Sequence, residues 1–285
     1  MSVALAATES CDVELLERLY ESPGLPAFAL GDELTRAYGG PLGFAEPRLY
    51  ANFVASIDGV VSIPGVTQSS HLIAAGSSAD RFVMGLLRAC ADVVLIGAGT
   101  LRDSPRSLWT PESAFPPAAA LYAALRRRRN REPVPTLAVL SGSGRIDPRH
   151  PALRGPALAL TSDQGAARLG RSLPRSTAIV PIGASERLEP TAAVEVLRGG
   201  GHRLILCEGG PTVLGAFAAD GLVDELFLTI SPLLAGRPSE VSRLALIENG
   251  EFLPGRSAGG RLLSVRRSQS HLFARYALAP PTVIA

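Results

Sequence analysis

The sequence predicts an α/β fold, in which a mainly parallel, mixed sheet is covered by helices on both faces and carries an antiparallel hairpin at its C-terminal end. From residue 49 onward, short apolar segments of strand length alternate with helical segments. The last strand-like segments, within residues 260–278, alternate apolar and polar residues and have no helix between them. Strands that alternate with helices are typical of parallel sheets, whereas consecutive alternating strands are typical of hairpins.

Composition limits the class of protein and its partners. The 285 residues are 46% hydrophobic, which suffices for a full core, and 28 basic residues, all arginine, face 26 acidic ones. The formal net charge of +2 provides no field that would attract nucleic acid or an anionic membrane. The chain has neither a basic leader nor an apolar run near the roughly 18 residues of a membrane span. We therefore expect a soluble protein with no nucleic-acid or membrane partner.

Cysteine and histidine usage argues against a metal site. Cys11, Cys90 and Cys207 are far apart, and the four histidines are scattered without a neighbouring acidic pair. Neither a disulfide framework nor zinc-ligand spacing is present. A cytoplasmic location without a bound metal is therefore expected.

The N-terminal segment is predicted to be an appendage. Residues 12–21 have the spacing of a short amphipathic helix, which Pro23 ends, and a Gly-rich linker follows. We expect residues 1–47 to form an N-terminal helical arm and linker, residues 48–279 the main domain, and residues 280–285 a tail.

The main domain is expected to begin with a strand, a turn at Asp58 and Gly59, and a second extended piece. Ser77 and Asp80 then resemble a capping box at the start of a helix that ends near residue 92. The later elements are predicted as a strand at 93–99, a helix at 115–129, strands at 136–140, 157–161 and 178–183, a helix at 189–201, a strand at 203–210, a helix at 211–221 and a strand at 224–234.

Two Gly-rich turns follow predicted strands and are the main ligand-binding candidates. Gly97 and Gly99 let backbone amides approach a phosphate or a nicotinamide amide, although Arg102 breaks the dinucleotide-binding fingerprint. Gly209 and Gly210 precede a helix whose positive end favours a pyrophosphate. In open α/β sheets, ligands gather at the carboxyl ends of strands, where both turns fall. The alternative for each is a tight turn without a ligand.

Other motifs also leave two interpretations open. Asp58 is a ligand-facing carboxylate or a turn former, and Asp103 is a ligand-facing carboxylate or an Asx-turn residue. The segment Ser141–Gly142–Ser143 receives a phosphate or merely turns the chain. The arginine run at 126–129 is a nucleic-acid patch or complements a helix dipole. The apolar segment at 227–236 predicts burial against other strands or a second subunit.

Three blocks of sequence resemble one family when they are taken in order. They are "NFVASIDG", "LLRACADVVLIGAGTLRDSPR" and "LILCEGGPTVLGAFAADGLVDELFLTISPLLAG". Together they resemble the C-terminal reductase domain of the RibD-type riboflavin-biosynthesis enzymes, the pyrimidine reductase family, over about residues 48–278. The resemblance implies a dihydrofolate-reductase-like three-layer sandwich, NADPH as hydride donor and a homodimer. A zinc deaminase half, which bifunctional relatives carry, is not expected because the preceding 47 residues are too short.

The resemblance also implies a reaction. The family reduces the ring-opened ribose of 5-amino-6-(5-phosphoribosylamino)uracil, or of its diaminopyrimidinone counterpart, to the ribitylamino product. We expect direct hydride transfer to C1′ of the imine form of the substrate. The alternatives are a reductase of another heterocycle, such as a pterin, a dihydrofolate or a specialised metabolite, and a non-catalytic NADP(H)-binding homologue.

Residue roles follow from the same resemblance and from the Gly-rich turns. Glu208 is the expected catalytic and substrate carboxylate, with Asp58 or Asp103 relaying a proton. Arg88 is the expected substrate-binding arginine and phosphate ligand, and Arg106 replaces a family arginine whose position falls on Thr110. The expected cofactor-binding residues are Val54, Gly97, Gly99, Thr100, Asp103, Ser141, Gly142, Ser143, Gly209, Gly210, Pro211, Thr212, Val213, Leu214, Gly215 and Ala216.

Overall fold

The structure, a computed structural model, describes residues 14–240 and 242–284. Its strands there are β1 (Glu17–Glu21), β2 (Arg48–Ala55), β3 (Val93–Gly97), β4 (Thr136–Ser141), β5 (Ala157–Thr161), β6 (Thr177–Pro181), β7 (Leu204–Cys207), β8 (Glu225–Ile230), β9 (Arg256–Ser257), β10 (Gly260–Ser268), β11 (His271–Leu278) and β12 (Thr282–Val283). Its helices there are α1 (Asp32–Tyr38), α2 (Ser69–Ile73), α3 (Ser78–Cys90), α4 (Ala98–Asp103), α5 (Pro111–Ala114), α6 (Ala119–Arg128), α7 (Asp163–Leu169), α8 (Pro190–Gly199) and α9 (Pro211–Ala219). Short 3₁₀ helices span Pro116–Ala118 and Pro151–Arg154.

A ten-stranded sheet organises the chain in the order β1-β10-β11-β8-β2-β7-β3-β4-β5-β6. The strands from β8 to β6 in this order run parallel, whereas β1, β10 and β11 are antiparallel. The fold class predicted from the sequence, a mainly parallel mixed sheet with an antiparallel C-terminal hairpin, is confirmed.

Helices pack on both faces of the sheet because its central strands are apolar on both sides. In β3, Val94 and Ile96 join one core cluster, whereas Val93 and Leu95 join the other. The first cluster includes residues of α1, α3 and α6, and the second includes residues of α8 and α9. These two clusters make the protein a three-layer sandwich.

The helix predicted over residues 12–21 is wrong for its described part. Glu17–Glu21 form the edge strand β1, which pairs antiparallel with β10. The apolar spacing suits a helix locally, but pairing with β10 supplies hydrogen bonds that the short segment cannot match alone. Residues 12 and 13 lie outside the described residues.

The rest of the N-terminal segment also packs onto the sandwich. Leu34 and Tyr38 of α1 are buried in the first core cluster, together with Leu16 and Phe44. The segment therefore contributes to the same core as the sheet, and a domain boundary at residue 48 stays a prediction.

Several predicted segments have other ends in the structure, and three of them adjoin residues expected to bind ligands. The strand β3 stops at Gly97, and the next residues form α4 instead of continuing the strand to residue 99. The strand β7 stops at Cys207, so Glu208 and the two glycines after it connect this strand to α9. The extended piece expected after Gly59 forms only an isolated bridge between Ser62 and Leu244.

The arginine run at the end of α6 holds the fold together. Arg126 is 1% exposed and donates to the carbonyl oxygens of Ala89 and Ala91, at 3.2 and 2.7 Å. Arg129 pairs with Glu46 at 2.5 Å. Both arginines therefore have partners within the protein, and the absence of a nucleic-acid partner stays a prediction. In the described part of the chain, no helix is both long and apolar enough to cross a membrane.

Candidate active site

A cavity of about 570 Å³ opens where the carboxyl ends of β2, β3 and β7 meet one face of α3, from Asp80 to Arg88. This is the edge at which ligands bind in open α/β sheets. Nine of the residues expected to bind substrate or cofactor line it: Val54, Arg88, Thr100, Asp103, Arg106, Glu208, Gly209, Gly210 and Pro211.

Arg88 and Glu208 form a buried ion pair in the cavity wall. Nη2 of Arg88 donates to Oε2 of Glu208 at 2.6 Å, and Nε lies 3.1 Å from both carboxylate oxygens. The side chains are only 7% and 8% exposed. A buried charge is tolerated when it is paired and hydrogen-bonded, so the pair holds Glu208 as an oriented carboxylate. Because Arg88 is used in this way, a phosphate-binding role for it stays a prediction.

The two Gly-rich turns lie side by side. A Cβ atom on Gly210 would lie 3.4 Å from the Thr100 hydroxyl oxygen of α4, and one on Gly209 would lie 2.7 Å from Val213. Gly210 is the N-cap of α9, and a Cβ atom on Gly97, the N-cap of α4, would lie 3.0 Å from the same Val213 side chain. The Gly209 and Gly210 backbone in the cavity wall, the Thr100 hydroxyl and the N-terminus of α9 suit the phosphates of a dinucleotide. The residues present therefore fit a nicotinamide cofactor.

Asp58 has the turn-forming role. Its carboxylate accepts the Ser56 hydroxyl at 2.6 Å and the N–H groups of Ala235 and Gly236 at 3.0 and 2.8 Å. The Ser56 hydrogen bond, with those from the backbone, lowers the pKa of Asp58 to about 2. Asp58 does not line the cavity, and a carboxyl with so low a pKa holds no proton to donate near neutral pH.

The family model of the RibD C-terminal domain matches residues 47–250. The chain belongs to the RibD C-terminal domain family. It is 27% identical over 198 residues to the 2,5-diamino-6-ribosylamino-4(3H)-pyrimidinone 5′-phosphate reductase of Archaeoglobus fulgidus, and the match covers 67% of this chain and 82% of that protein. The resemblance stated from the sequence is thereby confirmed.

Solved structures give the same answer for the fold. A pyrimidine reductase-like protein of Corynebacterium diphtheriae matches 84% of this chain and 92% of its own, with a TM-score of 0.63 and 24% identity. The riboflavin biosynthesis reductase of Saccharomyces cerevisiae matches 85% and 94%, with a TM-score of 0.54 and 13% identity. The expected reductase sandwich of the family is the fold of this chain.

Part of the cofactor loop expected for the RibD C-terminal domain family packs inside the protein. Leu214 of α9 is buried in the second core cluster. A Cβ atom on Gly215 would lie 2.4 Å from the carbonyl oxygen of Glu248, because a later loop crosses the helix there. Thr212, Val213 and Ala216 do not line the cavity either. Only the start of the predicted loop therefore reaches the cavity.

The segment at 141–143 is covered by another loop. Ser141 is 5% exposed, and its carbonyl oxygen accepts the Thr161 hydroxyl at 2.6 Å. A Cβ atom on Gly142 would lie 1.7 Å from the carbonyl oxygen of Glu186. This close approach explains the glycine without a ligand, and cofactor binding by Ser141, Gly142 or Ser143 stays a prediction.

Sequence reasoning placed Arg106 in the loop after α4 but missed Trp109 of the same loop. Trp109 lines the cavity at 4% exposure with a φ of 56°, which is costly for a bulky residue. His150 contacts its ring at 5.8 Å between centroids and bonds the carbonyl of Ser104 at 3.1 Å. Such strain is common at functional sites. The signal was a lone tryptophan three residues after the end of the second family block.

Asp80 was also missed, because the sequence explained it as a helix cap. The Ser77 hydroxyl does accept the Asp80 N–H at 3.1 Å, as a cap should. The Asp80 side chain nevertheless lines the cavity, and burial raises its pKa. Within residues 14–240 and 242–284, no group of three or more His, Cys, Asp or Glu residues could hold a metal ion.

Proposed function

We propose that the protein is a nicotinamide-dependent reductase of phosphoribosylamino-pyrimidines in riboflavin biosynthesis. Its substrate is 2,5-diamino-6-ribosylamino-4(3H)-pyrimidinone 5′-phosphate, after which the Archaeoglobus relative is named, or the corresponding aminouracil, and its product is the ribitylamino compound. The observation that carries this proposal is the Glu208 carboxylate, which Arg88 holds in the wall of the cavity.

The cavity suits both ligands. Thr100, Gly209 and Gly210 would hold the phosphates of the cofactor, and bound NADPH supplies the hydride. Glu208 accepts hydrogen bonds from the amino groups of the pyrimidine, since a carboxylate is an acceptor with room for two donors. Arg106 places a positive charge in the same cavity, where it balances the substrate phosphate.

Three further expectations stay proposals that rest on the sequence and the family. They are NADPH as the hydride donor, assembly as a homodimer, and a cytoplasmic location without a nucleic-acid partner. The described Cys90 and Cys207 are free thiols, which suits a reducing compartment.

The proposal is tested by following the loss of reduced-nicotinamide absorbance with each candidate pyrimidine. Glu208→Gln is expected to lower kcat/KM by about 100-fold, because two charge-assisted hydrogen bonds of about 1.5 kcal/mol each are weakened. Cofactor binding, read from quenching of Trp109 fluorescence, is expected to persist. The control is Glu195→Gln, on the exposed face of α8.

The outcomes separate the alternatives. Turnover of a pterin or dihydrofolate instead of the pyrimidine would point to a different reductase. Cofactor binding without any turnover would point to a non-catalytic homologue. Full activity of Glu208→Gln would remove the role of this carboxylate.

A further inference from the structure

The α3 helix presents one acidic and one positively charged side chain to the cavity. Asp80, Met84 and Arg88 all line the cavity and are spaced by four residues, so they share a face of the helix. Eight residues of helix span about 12 Å, so Asp80 and the Arg88–Glu208 pair lie at different ends of one binding space.

The groups around Asp80 come from several elements. Burial is the largest influence and raises its pKa, and the side chain of Thr229 on β8 acts in the opposite direction by hydrogen bonding. His271 on β11 and His71 on α2 also lower the pKa, whereas the charge of Glu208 raises it. The ring of His271 is itself hydrogen-bonded, with Nε2 at 3.1 Å from a backbone carbonyl oxygen.

The cavity therefore contains two carboxyl groups in opposite environments. Glu208 has the guanidinium of Arg88 as a partner and stays an acceptor. Asp80 has no ion-pair partner among the described residues, and its surroundings favour the protonated form. One carboxyl group paired with an arginine and another without an ionic partner can divide the roles of acceptor and acid in one cavity.

We propose that Asp80 is the proton donor of the reduction, an inference that rests on the proposed function. Reduction of a C=N bond requires a hydride at carbon and a proton at nitrogen. The carbon receives the hydride, the π electron pair of the C=N bond moves to the nitrogen, and the nitrogen takes the proton from the Asp80 carboxyl. The imine is reduced to the amine, the nicotinamide is oxidised, and the Asp80 carboxylate regains a proton from water.

This assignment replaces Asp58, which lies outside the cavity and holds no proton at neutral pH. It also separates the proton donor from Asp103, which lies on α4 beside the residues expected to bind the cofactor.

The first experiment measures single-turnover rates for Asp80→Asn. General acid catalysis contributes roughly 100-fold to 10,000-fold, so the rate is expected to fall by at least about 100-fold, with substrate and cofactor affinity within about threefold of wild type. Asp80→Glu is expected to recover part of the rate. The wild-type rate is expected to decline as rising pH removes the Asp80 proton, and the Asn variant is expected to lack this decline. The matched control is Asp163→Asn. Asp163 is an exposed carboxylate in the first turn of α7, which also begins after a serine N-cap.

The second experiment uses the protein without ligands. Unfolded Asp80 ionises at its ordinary pKa of 3.8, whereas the folded protein keeps the proton to higher pH. The folded state thus loses stability as pH rises above this value, and Asp80→Asn does not. The stability of Asp80→Asn relative to wild type is expected to increase from about pH 4 to about pH 8, as measured by urea unfolding.

Three outcomes would overturn the inference. They are a wild-type single-turnover rate in Asp80→Asn, a loss confined to substrate affinity, and a stability difference that does not change with pH. In the first two cases an active wild-type enzyme leaves the proposed function standing. An inactive wild-type protein would instead overturn the proposed function, and this inference with it.

Discussion

Removing Arg88 leaves a buried carboxylate without its partner, and the cost can be worked out from the structure. In Arg88→Met, Glu208 keeps its 8% exposure but loses the hydrogen bonds from the guanidinium. Breaking a buried ion pair from one side costs about 3–5 kcal/mol. We expect the free energy of unfolding to fall by this amount, which is a large part of the roughly 5–15 kcal/mol of a typical domain.

A double-mutant cycle separates the pair from the packing of each side chain. The double variant Arg88→Met/Glu208→Gln contains neither charge. Its free energy of unfolding is therefore expected to fall by about 1.5–3 kcal/mol less than the sum of the decreases in the two single variants. Urea unfolding, followed by the fluorescence of Trp109 and by circular dichroism, measures each term.

An exposed pair provides the control. Arg168 and Glu186 lie 3.9 Å apart with side chains 48% and 55% exposed, and such pairs contribute about 0–1 kcal/mol. The reasoning would be refuted if the loss of unfolding free energy in the double variant equalled the sum of the losses in the two single variants to within about 0.5 kcal/mol. A decrease below about 1 kcal/mol in the unfolding free energy of Arg88→Met would also refute it, because Glu208 would then have another partner or contact water.

Two further predictions concern residues away from the cavity. Gly142→Ala is expected to lower the free energy of unfolding by about 1–3 kcal/mol, since its Cβ would lie 1.7 Å from the Glu186 carbonyl oxygen; unchanged urea unfolding would contradict this. In a Cys11→Ser variant, native Cys90 and Cys207 are expected to resist a thiol reagent, because burial raises the pKa values to about 11 and about 12. Mass spectrometry reads the labelling, and modification of either thiol before denaturation would show that the core opens.

Local patterns predicted the interior of the sheet better than its edge. Every residue of the strands β3 and β7 is buried, and each strand is a continuous apolar run. The sequence alone therefore predicted both as strands. The strand β1 depends on pairing with β10, far along the chain, and its local spacing indicated a helix. The covering of Gly142 by Glu186 likewise depends on where a distant loop passes.

The candidate site divides in the same way. Glu208 and the following glycines form a continuous motif, and their place at a strand end was predictable. The pairing of Arg88 with Glu208 joins residues 120 positions apart, which no spacing rule indicates. The sequence accounted for Asp80 as part of a helix cap, so its position in the cavity was not predicted.

Arg126 fixes the last turn of α3, and with it the wall of the cavity that carries Asp80 and Arg88. The helix that carries Asp80 and Arg88 is anchored through carbonyls at its end, so it cannot shift without opening the core. The loop around Trp109 is joined to this helix, because Nη1 of Arg88 donates to the Thr110 carbonyl oxygen at 3.4 Å and Trp109 packs in the first core cluster. A substitution that shifts the end of α3 is therefore expected to disturb the Arg88–Glu208 pair and the Trp109 loop together.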